Sequence, residues 1–303
     1  MSEIVWTHVR GSSDDMGQSP VAMIAWTPFI FSGRARPRRQ GSRALARKLL
    51  CSGLSYRSRR LKSMITLRRS SERHHARWAR RQGWSSFEGR PNADGFAFGF
   101  GVLERFDEHR LEAKASLLVQ PAQGFEVISY VVTGVVASRH SPGQTSILRA
   151  GDFQRVSGGQ PGGLRQTNPS SRNDARLLQL WLRHGAPHPT RPPEQRRFSV
   201  AQRRGALCLI AAGDAREAAL QLREDVLIFS AVLDPGQHIV HELSPRRSAW
   251  LHVVQGEITS NDSTLVAGDA ASFALERSVS LTARSPSEVL IVDLAHLASA
   301  API

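Results

Sequence analysis

Cysteine is nearly absent: the 303 residues hold only Cys51 and Cys208. So few thiols give no disulfide framework, and Cys208, inside the apolar run "ALCLIAA", reads as a buried, inert thiol. Nothing in this usage calls for an oxidising compartment, so a cytoplasmic setting is expected. Long apolar runs are missing too. "VAMIAWTPFIF" (Val21–Phe31) is interrupted by Thr27 and Pro28. No stretch approaches the ~20 apolar residues of a membrane helix, and no membrane role is expected. There is no nucleophile elbow and no Cys-x-x-Cys pair. "GGQPGG" (Gly158–Gly163) lacks the Lys and following helix of a phosphate loop.

Acidic residues are scarce at the start. Residues 1–63 carry 12 Lys and Arg against 3 acids, whereas the other 240 residues carry 28 against 23. Most of the net charge of +14 therefore sits in an Arg- and Ser-rich leader without amphipathic period. Three readings compete: an arm attracting nucleic-acid phosphate, an organellar leader, and an upstream extension of a chain that starts at Met64. The third is preferred, because "MITLRRSSERHH" runs unbroken into the organised region.

From Ser85 onward, short β-branched and aromatic runs alternate with turn residues at spacings near 8–12, the pattern of an all-β sandwich or barrel. An internal echo accompanies them. "YVVTG" (Tyr130–Gly134) is answered by "HVVQG" (His252–Gly256), "LRAGDFQRV" by "LVAGDAASF", and "LLQLWL" by "VLIVDL". Strand–Gly, turn, Ala-Gly-Asp and closing strand recur in that order, which predicts a duplicated β-module. Between the copies, "RHGAPHPTRPPEQRRF" (Arg183–Phe198) is rich in Pro and charge and reads as a linker.

The runs "GFEVISYVVTG", "AGDFQRVSGG", "NPSS", "LLQLWL", "EQRRFSV" and "VVQGEIT" resemble the pirin-like family, bicupins of two stacked β-barrels. The resemblance covers about Met64 to Ala295. It implies an all-β fold of two tandem cupin barrels: a basic extension at 1–63, an N-terminal barrel at 64–182, a linker at 183–198 and a C-terminal barrel at 199–303. Active members are similar to quercetin 2,3-dioxygenases and hold one metal, iron or a similar ion, by His-x-His, Glu and His-x-Glu; others act as transcriptional co-regulators. Alternate residues of a strand share a face, so such a pattern can converge on one ion.

Carried over by position, Gln120 and Ala122 stand at the His-x-His sites, and Leu164 and Gln166 at the His-x-Glu sites fixed by Asn168-Pro169. Glu126, Gly134, Gly151, Asp152 and Asn168 agree with the pattern. Ala and Leu offer no donor, and a Gln amide is a poor partner for a first-row metal. The expectation is therefore no catalytic residue, no metal and no cofactor, the alternative being a weakly bound divalent metal. Gln120, Ala122, Leu164, Gln166 and Glu126 would line a pocket for a small molecule, unless the protein works through a protein partner. A quercetinase-like oxygenase is the alternative. A transcription-linked adaptor binding nucleic acid through the leader is a third reading.

Other histidines read as satisfied or exposed. His238 and His241 fall on opposite faces of one strand; His238, Glu242 and His252 could share a face. His140 reads as surface in a hairpin turn, and His184 and His188 fall in the linker. His74-His75 belong to the entry segment with no third donor nearby in sequence. Trp181 and Trp250 read as core, and Gly158–Gly163 as a flexible rim over the first barrel.

Overall fold

The computed structural model describes residues 64–87, 99–140, 144–184, 189–214 and 219–295. The basic segment, the readings attached to it, and His188 lie outside the described residues.

In the first barrel, a seven-stranded sheet runs in the order β12 (Glu194–Arg197), β9 (Asp152–Ser157), β6 (Phe125–Thr133), β11 (Ala175–Arg183), β4 (Leu103–Leu111), β3 (Arg81–Ser85), β2 (His74–Trp78). Against it lies a four-stranded sheet of β5 (Ser116–Val119), β10 (Leu164–Thr167), β7 (Val135–His140) and β8 (Thr145–Arg149). The second barrel has a seven-stranded sheet of β1 (Met64–Arg68), β20 (Ala270–Ala274), β17 (Arg247–Gln255), β22 (Ser287–Ala295), β15 (Val226–Leu233), β13 (Cys208–Ala212) and β14 (Leu220–Gln221). Its small sheet is β16 (His238–Glu242), β21 (Ser278–Ala283), β18 (Glu257–Ser260) and β19 (Ser263–Val266).

The order β9-β6-β11-β4-β3 in one barrel matches β20-β17-β22-β15-β13 in the other. This is the duplication seen as a sequence echo. "YVVTG" closes β6 and "HVVQG" closes β17, with Gly134 and Gly256 at φ 80° and 83°. A Cβ there would sit 2.7 Å from the Asp174 carbonyl oxygen and 2.3 Å from that of Pro286. Both conformation and space require glycine.

Strand alternation explains the apolar runs. Along β6, Val127, Ser129 and Val131 face the barrel interior while Ile128 and Tyr130 face the other barrel. Phe106, Ile128, Tyr130, Leu178 and Leu180 pack with Ile228, Trp250, Leu290 and Val292 in one cluster. The central strands are thus buried on both faces, and Trp250 is fully enclosed.

Two segments leave the module to which the sequence assigns them. Met64–Arg68 pairs antiparallel with β20 and so closes the edge of the second barrel. Glu194–Arg197, read as linker, pairs with β9 at the edge of the first. The prolines that exclude a central strand end at Pro193, and an edge strand can follow them. Ser199 then caps the one-turn helix α1 (Val200–Arg203), exchanging backbone and side-chain hydrogen bonds with Gln202.

Candidate functional site

The interior of the first barrel is layered. Leu111, Leu117, Val131, Val136, Leu148 and Leu177 fill one end. Val127, Val156, Leu164 and Trp181 fill the other. Between them lies a polar layer of Ser129, Ser138, Gln154, Gln166 and Gln179, all at 0% exposure. Gln179 Nε2 donates to Gln166 Oε1 at 2.7 Å, and Gln166 Nε2 donates to Ser129 Oγ at 3.0 Å. Ser138 Oγ donates to Gln154 Oε1 at 2.6 Å. Register aligns Gln166 with Ser138 and Ser129 with Gln154, so the layer crosses both sheets. Beside Gln179, burial pushes His109 down to about 4, with Asp107 opposing and Arg81 and Arg105 adding to the fall.

The residues expected to form one pocket are not brought together. Leu164 and Gln166 are enclosed, whereas Gln120 and Ala122 are exposed on the loop before β6. Glu126 lies on the opposite face of β6. Val127 and Ser129 take the interior, so alternation turns Glu126 outward. There Oε2 accepts from the Arg223 backbone N–H at 2.9 Å, and Oε1 lies 3.8 Å from the Arg155 guanidinium. Glu126 therefore ties the barrels together and does not line an interior pocket. Asn168, also fully enclosed, donates to the carbonyls of Leu111, Glu112 and Asn173 and fixes the turn after β10.

The Gly-rich rim closes this end of the barrel. Gly158 N donates to Phe125 O at 2.7 Å and Gly159 N to Pro121 O at 2.8 Å. A Cβ on Gly158 would lie 2.1 Å from the Ala122 carbonyl oxygen. The loop that a flexible-rim reading leaves loose is thus laced to the Pro121–Phe125 segment.

Access is instead lateral. β8 and β9 belong to different sheets and do not pair, and a strap formed by Thr190–Pro193 lies beside them. A cleft of ≈ 280 Å³ is lined by His140, Val156, Ser157 and Arg191 among others. An adjoining hollow shares His140, Pro192 and Pro193 and reaches Ser146 and Gln154. His140 was expected at the surface but is 4% exposed, because β7 places Val136, Ser138 and His140 on its inward face. That alternation is the signal that could have found it. Burial holds His140 below its ordinary value.

In the second barrel the histidines separate. His238 is exposed and bonds Thr282; His241 Nε2 lies 2.8 Å from Asp293. His252 is enclosed against the Phe106 ring, and burial drives it well below the usual range. On the edge of the first barrel, His75 stacks on Trp84. Between the barrels, Arg203 meets Glu288, Ser230 and the Tyr130 hydroxyl, which itself donates to Glu288. Arg73 and Arg176 hold Glu108 at 2.9 and 2.6 Å; against the effect of burial they lower it to about 2.

Two cupin barrels sharing one repeated topology define a bicupin. The pirin family profile matches residues 70–182 and that of the quercetinase C-terminal cupin domain matches 209–294. The chain is 31% identical over 233 residues to a quercetin 2,3-dioxygenase of Escherichia coli K12, covering 76% of this chain and 99% of that protein. A pirin-like protein of Caulobacter vibrioides is 27% identical, over 65% of this chain and 84% of that one. The bacterial pirin YhhW from Escherichia coli, solved in complex with nickel(II), superposes with a TM-score of 0.68 at 30% identity, covering 77% of this chain and 100% of that one. The chain belongs to the pirin family.

The residues present do not fit an ion such as that nickel(II). Leu164 and Ala122 carry no donor atom, and both ends of the Gln166 amide are committed to Ser129 and Gln179. Among the described residues, no group of three or more His, Cys, Asp or Glu converges. Nor, among them, is any helix long and apolar enough to cross a membrane.

Proposed function

We propose that this pirin works without a resident metal in its N-terminal barrel and binds a small ligand or serves a regulatory role, not a dioxygenase one. One observation carries the reading. Gln166, at a position where the family resemblance implies a metal-binding carboxylate, is fully buried and bridges Ser129 and Gln179. An amide oxygen already accepting a hydrogen bond is a weak donor to a cation, and reorienting the side chain toward one would break two buried hydrogen bonds. Leu164 beside it belongs to an apolar cluster with Val127, Val156 and Trp181.

Relatives named quercetin 2,3-dioxygenase favour a second reading, an oxygenase that recruits metal through other ligands. Metal analysis of purified protein, paired with oxygen uptake on a flavonol, decides between them. The expected result is substoichiometric metal and no uptake. Stoichiometric iron, nickel, copper or manganese with turnover would overturn the metal-free reading.

A further inference from the structure

We propose that the lateral cleft between β8, β9 and the Thr190–Pro193 strap binds the carboxylate of a small organic acid. This deepens the ligand-binding reading above and rests on it. Three residues carrying a polar atom with no partner among the described residues line the cleft or the hollow that adjoins it: Arg191 (Nη1) the cleft, Gln154 (Nε2) the hollow, and His140 (Nε2) both. Gln154 is fully buried and His140 is 4% exposed. Buried polar atoms left unpaired are destabilising, and a ligand that satisfies them recovers that energy. Gln154 spends its oxygen on Ser138, so what it presents is an N–H donor.

The chemistry of the walls narrows the ligand. One guanidinium, one amide donor and one imidazole whose charged form burial disfavours suit a single negative charge. No carboxylate lines the cleft among the described residues. Val156, Pro192 and Pro193 supply apolar surface for a compact body, and ≈ 280 Å³ lies at the small end of ligand sites, about 300–1,000 Å³. The strap is already in place: Arg191 N donates to Ser157 Oγ at 3.3 Å, and Arg155 Nη2 donates to Pro192 O at 2.9 Å. Little ordering remains to oppose binding.

The test is calorimetric titration of the full chain with benzoate, with benzyl alcohol and inorganic phosphate as comparison probes. Saturable binding of benzoate at one site is expected, with no binding of benzyl alcohol. Arg191→Leu, which removes no side-chain hydrogen bond to the described residues, should weaken benzoate about tenfold or more and leave Tm unchanged. Gln154→Glu keeps the side-chain size and the Ser138 contact but replaces the free donor with an oxygen; it too should weaken binding. No benzoate binding, equal affinity in Arg191→Leu, or phosphate binding as tightly as benzoate would each overturn the proposal. Metal analysis of the same sample separates the two readings. Metal-free protein that ignores benzoate sinks the cleft alone, whereas stoichiometric metal with flavonol turnover sinks the metal-free reading.

Discussion

At the scale of single residues, Gln166 is the centre of the polar layer inside the first barrel. It donates to the Ser129 hydroxyl and accepts from the Gln179 amide where the family resemblance implies a carboxylate ligand. Restoring the implied ligands tests the frame: Gln120→His, Ala122→His, Leu164→His and Gln166→Glu together should confer affinity for nickel(II), read as a metal-dependent rise in Tm. No rise would show that the exposed loop carrying Gln120 and Ala122 no longer reaches the buried pair. His109 makes a second prediction. Folded, it titrates near 4; unfolded, near 6.5. The unfolded chain therefore binds more protons in that interval, so stability is intact above about 6.5 and declines toward 4, by on the order of 3 kcal/mol. His252 acts in the same direction. Denaturant unfolding across that range should show the slope, and His109→Gln should flatten it. That Leu164 and Gln166 share the inward face of one strand was legible from their spacing two residues apart. That Glu126 faces outward and His140 inward was equally written in strand alternation. A carboxylate at a family position and a histidine near a turn invited the opposite assignments.

At the scale of elements, the rim Gly158–Gly163 decides which end of the barrel opens. Gly158→Ala would press a methyl group into the Ala122 carbonyl. Overpacking of this kind destabilises by about 1–3 kcal/mol, to be read as a lower urea midpoint. An unchanged midpoint would mean the rim yields freely and does not seal the end. The duplicated strand–Gly unit was legible because Gly134 and Gly256 answer a local demand that the sequence must repeat. The edge strands β1 and β12 were not. Their residues carry no mark of their partner, since an edge strand's pairing is set by which sheet edge lies within reach.

At the scale of the whole molecule, the barrels are joined by a large apolar contact with charged groups embedded in it. Arg203→Met would leave Glu288 buried beside Tyr130 without its counter-charge, a change expected to cost about 3–5 kcal/mol. Replacing Arg203, Glu288 and Tyr130 together by Met, Leu and Phe should be far milder. Chemical denaturation of both variants checks this. Equal losses would show that the contact is held by shape alone.

The exchange of edge strands also sets an order of events during synthesis. β1 leaves the ribosome among the first described residues, yet β20, its partner, follows roughly 200 residues later. At about 5–20 residues per second, that wait is on the order of 10–40 s. During it, Met64–Arg68 has no partner strand, and the second barrel cannot complete its sheet until β20 has emerged. A nascent chain truncated before β20 should therefore be the form most exposed to chaperones and to pairing with its neighbours.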